Sequence, residues 1–133
     1  MKKNTVLSTV LAVLLLLSFT SFAGSISKSV TASNPGEDNT DYTSQNINDG
    51  SVTFHAEAIG FGYGEGHASA LKKEEADAYY IQMCGVDTHA EGLLLSANAG
   101  PTAINGFVKV YVRALVYSGY GSGFAYASAT VSW

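Results

Sequence analysis

Three histidines, His55, His67 and His89, are the side chains of this sequence best suited to metal binding or proton transfer. Zinc ligands commonly lie four residues apart on one helix face, so that two of them reach the same ion. None of the three lies four residues from another histidine or from Cys84. The sequence therefore predicts surface or turn histidines, and it predicts neither a metal site nor a cofactor.

Nucleophilic catalysis and phosphate binding find little support either. Cys84 is the only cysteine, no base accompanies it, and we expect its thiol to be buried. The glycine-rich stretch 60–66 follows a predicted strand, but the third glycine of a dinucleotide fingerprint would fall on His67 or Ser69. Glu74 and Glu75 are adjacent on a predicted helix and diverge there, as expected of a solvated face. These features indicate a protein that is not an enzyme.

The chain divides into three parts by composition. Residues 1–23 have a basic start, an apolar run and a small-residue end, which predicts a signal peptide cleaved after Ala23 and a periplasmic or secreted protein. Residues 24–50 are polar and acidic, so we expect a flexible leader, either a spacer or a strand added to a partner. Residues 51–133 form the predicted domain.

Charge narrows the range of partners. Removal of Lys2 and Lys3 with the signal peptide leaves five basic residues against eleven acidic ones, a net charge of −6. So few cations cannot neutralise many phosphates, which argues against nucleic-acid binding. The apolar run of the signal peptide is too short to span a bilayer, so we expect no membrane span after cleavage.

Apolar periodicity predicts an α+β fold. Alternating residues indicate strands at 52–61, 107–117 and 124–133, the last two joined by a glycine-rich hairpin. Spacings of three and four residues predict one amphipathic helix over 67–84, capped by Gly85. Residues 86–105 are ambiguous between a short helix and an edge strand at 92–97. The order β-α-(short element)-β-β predicts two layers, an antiparallel sheet of three to four strands and the helix.

One face of that sheet is unusually rich in aromatic side chains, and we expect it to bind a partner. Its predicted binding residues are Ile59, Phe61, Tyr111, Arg113, Tyr117, Phe124 and Tyr126. The leading hypothesis is a non-enzymatic envelope or secreted module that acts through protein–protein contact or self-assembly. The alternative is a carbohydrate-type ligand-binding protein in which the aromatic rings stack on sugars. A secreted toxin or antimicrobial is a third hypothesis, against which the negative charge counts.

Small residues at defined spacing suggest a family. The residues that carry the similarity are Ala58, Gly60, Gly62, Ala70, Lys73, Ala76 and Ala78, followed by the terminal hairpin. This arrangement resembles the small β-α-β-β domain in the N-terminal region of flagellar assembly protein T and of related outer-membrane lipoproteins. The resemblance implies an envelope-associated assembly module without catalytic residues. The chain lacks the lipoprotein cysteine, so the resemblance does not extend to a lipid anchor.

Overall fold

The computed structural model describes residues 24–133, where five β-strands form one antiparallel sheet and no helix occurs. The strands are β1 (Ser25–Ala32), β2 (Asp38–Glu74), β3 (Ile81–Glu91), β4 (Leu95–Val116) and β5 (Gly123–Ser132). The predicted signal peptide lies outside the described residues. Within residues 24–133, no helix has the length and apolarity needed to cross a membrane.

The long strand β2 organises the sheet. Its middle part, residues 53–62, pairs with β5, and the other edge of β5 pairs with β1. Its last part pairs with β3. Strand β4 pairs with β2 along its whole length, so that residues 106–116 lie between an early and a late segment of β2.

The sheet folds over on itself into two layers at irregular points in β2, where the pairing register shifts. The first layer contains β1, β5, residues 50–62 of β2 and residues 95–104 of β4. The second layer contains residues 38–47 and 64–74 of β2, residues 106–116 of β4, and β3.

The core lies between the two layers and follows from residue alternation. Along residues 52–58 of β2, residues 108–116 of β4 and β5, every second side chain is buried and the side chains between them face outward. The buried set is small and mostly β-branched or alanine: Val52, Phe54, Ala56, Ala58, Ala68, Ala70, Val108, Val110, Val112, Ala127, Ala129 and Val131. Such small side chains allow the two layers to approach closely. The predicted strands at 52–61, 107–117 and 124–133 are thus confirmed, except that Tyr117 and Trp133 lie just outside their strands.

The prediction of an α+β fold with a main helix over 67–84 is wrong. Residues 67–74 continue β2, and residues 81–84 begin β3. Alanine, leucine, lysine and glutamate favour a helix only weakly, and tertiary pairing commonly overrides that preference. Here residues 67–72 have hydrogen-bonded neighbours on both sides, β3 and β4, which a helix would forfeit.

The prediction of a flexible leader over residues 24–50 is also wrong. Its residues form β1 and the first part of β2, within the same sheet as the rest. Val30 packs against the main core and against a smaller buried group formed by Ala32, Ala114, Val116 and Ala125. Ala32 itself is fully buried. The apolar side chains of this stretch are few, but β5 pairs with every residue of β1, and β4 pairs with residues 38–47 of β2. The described domain therefore begins near residue 24 and not near residue 51.

Residues 86–105 resolve in favour of the edge strand. Strand β3 extends to Glu91, and β4 begins at Leu95 after a short connection. The connection turns at Gly92, whose φ of 69° is in the left-handed region. Cys84 lies in β3 and is buried, as the sequence predicts, and burial raises the pKa of its thiol.

Candidate functional site

The predicted aromatic binding face is divided between the two layers. Ile59 pairs with Tyr126, and Phe61 pairs with Phe124, on the first layer. Tyr111 and Arg113 lie on the second layer, and Tyr117 follows directly after β4. The seven predicted binding residues, Ile59, Phe61, Tyr111, Arg113, Tyr117, Phe124 and Tyr126, therefore do not form one surface. Phe61 and Phe124 belong to one candidate site, Tyr111 and Arg113 belong to a second, and Ile59, Tyr117 and Tyr126 lie outside both.

The first candidate site is a group of exposed apolar side chains at one end of the first layer, here called the apolar rim. It consists of Phe61, Leu93, Leu94, Leu95 and Phe124. The side chains of Phe61 and Leu93 are each 63% exposed, and Leu94 is 56% exposed. The ring of Phe61 covers Gly92, where an added Cβ atom would come 3.1 Å from its Cδ2. The bare glycine thus lets the ring of Phe61 lie against the start of the connection that carries the leucines.

A sheet edge free of charge begins at the apolar rim. Residues 95–104 of β4 pair with β2 on one side, and no other described strand pairs with them on the other side. From Gly92 to Val108 the chain carries no charged side chain. Natural sheets usually protect an open edge with lysine or another charge. Here only Pro101 interrupts the row of backbone donors and acceptors.

The second candidate site is a cleft of about 300 Å³ on the outer face of the second layer, here called the polar cleft. Two neighbouring cross-strand pairs form its floor, because Glu65 is opposite His89 and His67 is opposite Asp87. His89 Nδ1 donates to Glu65 Oε1 at 2.8 Å, and His67 Nδ1 donates to Asp87 Oδ1. Glu65, which accepts this hydrogen bond, raises the pKa of His89.

An aromatic ring and an ion pair complete the polar cleft. The ring of Tyr111 lies 5.6 Å from that of His67, edge to face. Arg113 donates from Nε and Nη2 to the two carboxylate oxygens of Asp38, at 2.7 and 2.6 Å. This forked contact lowers the pKa of Asp38 and raises that of Arg113. The cleft therefore offers fixed donors and acceptors beside one aromatic ring.

A tyrosine cluster adjoins the polar cleft at the hairpin between β4 and β5. The rings of Tyr63 and Tyr120 lie 5.7 Å apart, and both line a hollow with Tyr117. The nearby Glu65 carboxylate raises the pKa of the Tyr117 phenol. Glu65 thus links the tyrosine cluster to His89 in the cleft.

The three histidines do not converge. Nδ1 of His55 lies 2.7 Å from Oδ1 of Asn98, and His55 is on the first layer, away from His67 and His89. In residues 24–133, no three side chains of His, Cys, Asp and Glu are arranged to hold a metal ion.

Sequence reasoning missed several residues of both sites. In the polar cleft these are Glu65 and Asp87, with Asp38 as the ion-pair partner of the cleft residue Arg113, and in the apolar rim they are Leu93, Leu94 and Leu95. The period-two alternation of β2 in fact continues past Phe61, with Gly64, Gly66, Ala68 and Ala70 inward and Glu65 and His67 outward. Extending that alternation would have placed Glu65 and His67 on one face.

No protein-family model matches this chain, and no curated protein matches its sequence. The resemblance to flagellar assembly protein T stays a prediction. The β-α-β-β order that it implies differs from the all-strand order of residues 24–133.

Proposed function

We propose that this protein is a non-enzymatic, exported module that works through protein–protein contact at the apolar rim. The observation that carries the proposal is the exposure of Phe61, Leu93 and Leu94, each more than half accessible, at one end of the sheet. Leaving such side chains in water forgoes the roughly 1.5–3 kcal/mol that burying each one would contribute. Contiguous exposed apolar groups of this kind are typical of contact surfaces.

The folded domain supports this proposal by the way it treats its other apolar residues. The inward side chains of residues 52–58 of β2, residues 108–116 of β4 and β5 are buried, so the fold does bury apolar side chains where its layers meet. Leu93 and Leu94 lie in the connection between β3 and β4, where neither layer covers them. A protein surface that packs on this connection would bury them without any change in the fold. Export rests on the predicted signal peptide, outside the described residues.

Photo-cross-linking tests the proposal. A photoreactive phenylalanine analogue at Leu94 should give a defined protein adduct in the producing cells, identified by mass spectrometry. The matched control carries the same analogue at Tyr79, which is 82% exposed and lies in the connection between β2 and β3. Phe61→Ser in the Leu94 variant should weaken the adduct, because it removes a neighbouring contact. Equal adduct yields at Leu94 and Tyr79, or none at Leu94, would overturn the proposal.

A second candidate function, binding of a neutral carbohydrate, is favoured by the polar cleft. A sugar both donates and accepts hydrogen bonds, and the cleft presents paired carboxylate and imidazole groups beside the ring of Tyr111. Of the outer-face tyrosines considered for stacking, only Tyr111 lines the cleft, while Tyr126 donates to Glu57 on the other layer.

Nuclear magnetic resonance of the histidine rings tests carbohydrate binding. Titration with maltotriose, cellotriose and chitotriose should shift the imidazole signals of His67 and His89. His55, on the first layer, is the internal control and should not shift. Tyr111→Ala should abolish the response. If no trisaccharide moves either signal at millimolar concentration, the cleft does not bind this class of ligand.

A further inference from the structure

The unprotected edge of β4 identifies the kind of protein that the apolar rim contacts. Its residues Leu95–Ala99 are paired on one side only among the described strands. The side chains of Ser96 and Asn98 point outward, and those of Ala97 and Ala99 pack against the core. These small side chains leave the backbone donors and acceptors of the edge open to another strand.

We propose that the partner at this edge is a second copy of the same chain, paired antiparallel through residues 95–100 of β4. This inference rests on the proposed function and adds the identity of the partner. The argument is electrostatic. After signal-peptide cleavage the chain has a net charge of −6, which makes two copies repel each other over most of their surfaces. The segment from Gly92 to Val108 has no charge, so two copies meet there without like-charge contact.

Symmetry and apolar matching support the same partner. An antiparallel pair of identical strands has a two-fold axis, the commonest symmetry of protein dimers. With that axis at Ala97 or Asn98, residues 93–95 of one copy lie opposite residues 99–103 of the other. That opposite segment, Ala-Gly-Pro-Thr-Ala, is small and uncharged. The exposed leucines of the apolar rim would therefore pack on a matching surface in each copy.

Pro101 limits the pairing and so sets its extent. Proline has no N–H group, and it interrupts a hydrogen-bonded ladder where it occurs. The pairing should end at Gly100, which makes it a short contact between folded domains and not a template for a continuous fibre. The apolar rim then supplies much of the buried area.

Cysteine scanning tests the inference in the full-length exported protein. Cys84 is buried and its thiol pKa is raised, so we expect it not to form a disulfide. The wild type should therefore give no disulfide-linked dimer and serves as the negative control. We introduce Ser96→Cys, Ala97→Cys, Asn98→Cys and Ala99→Cys one at a time and oxidise mildly. Opposite Cα atoms in an antiparallel pair are about 4.5–5.5 Å apart, within reach of a disulfide. A residue two positions from the axis is separated from its own copy by more than the roughly 7 Å limit.

We expect one of the four positions to give disulfide-linked dimer at several times the yield of the others. Ser29→Cys, at a position on β1 that is exposed like Ser96 and Asn98, is the matched control and should give little dimer. Ser96→Lys, introduced beside the responsive cysteine, should abolish the dimer, because the contact would then bring a lysine of each copy close to the lysine of the other. Circular dichroism should confirm that this variant keeps the fold.

The outcomes separate the two proposals. Equal dimer yields across residues 96–99 and Ser29, or no dimer, would overturn the second-copy inference. If Leu94 still forms an adduct with a different protein in that case, the proposed function stands and only the partner is wrong. If Leu94 forms no adduct either, both proposals fail.

Discussion

Gly66→Ala should destabilise the protein strongly, because Gly66 lies where the two layers come close together. A Cβ atom at this position would be 2.5 Å from the carbonyl oxygen of Tyr126 and 3.0 Å from that of Ile59. It would also be 3.1 Å from the Cβ atom of Ala58. Tyr126 and Ile59 belong to β5 and β2, so the obstruction is backbone and cannot rotate away.

The size of the stability loss follows from what the added methyl group meets, which is the main chain of two strands. Overpacking a core by one methyl group commonly costs about 1–3 kcal/mol, and relief here requires a strand to shift. We therefore expect a loss near the upper end, about 3 kcal/mol of the free energy of unfolding. For a domain of this size that corresponds to a fall in Tm of roughly 12 °C.

Urea and thermal unfolding, followed by circular dichroism, measure this loss. Gly119→Ala is the control, because nothing lies within 4 Å of an added Cβ there. The φ of 82° at Gly119 gives that control a strain cost of about 1 kcal/mol. If residues 67–84 formed a helix, Gly66 would precede it and alanine there would cost little. A Gly66→Ala variant as stable as Gly119→Ala would therefore refute the two-layer arrangement.

Two further predictions concern titratable groups. Glu65 raises the pKa of His89, so the pair stabilises the fold fully below the ordinary histidine pKa of about 6.5 and less as pH rises through the raised value. The difference in urea stability between wild type and His89→Gln should shrink as the pH rises above the ordinary histidine pKa of about 6.5, and a constant difference would contradict the pairing. Cys84 should react with a maleimide at least about tenfold more slowly in native than in urea-unfolded protein, because it is buried. Equal rates would show that β3 does not cover it.

The fold was predictable where the local pattern and the final environment agree. Residues 107–116 alternate valine and alanine with larger or polar residues, and the structure buries every second one. Such β-branched alternation is compatible with a strand and with little else. The same holds for β5, where alanine and valine alternate with serine, threonine and tyrosine.

The fold was not predictable where pairing partners are distant in sequence. Residues 67–74 contain the best helix formers of the chain, yet β4 lies beside them across more than thirty residues of sequence. Residues 25–32 have too few apolar side chains to predict an ordered strand, but β5 supplies a complete partner. Local propensity predicts neither of these two strand pairings, because both depend on where β4 and β5 lie in the folded sheet.

The candidate sites, like the fold, could be predicted from the sequence only in part. Aromatic enrichment identified Phe61, Phe124, Tyr111 and Arg113 as outward-facing residues. It could not show that β2 bends between Phe61 and Glu65, which separates the apolar rim from the polar cleft. The pairing of Glu65 with His89 depends on the register of β2 and β3. A helix predicted over residues 67–84 replaces parts of both strands, so the sequence analysis could not find this pairing.

Sedimentation velocity over a concentration series tests the central claim, self-contact through the edge of β4, most directly. Between roughly 1 and 100 µM, the wild type should change from monomer towards dimer, and Ser96→Lys should remain a monomer throughout. Ser29→Lys, which places the same charge on β1, should behave as the wild type. A wild-type protein that sediments as a monomer at every concentration would contradict the claim.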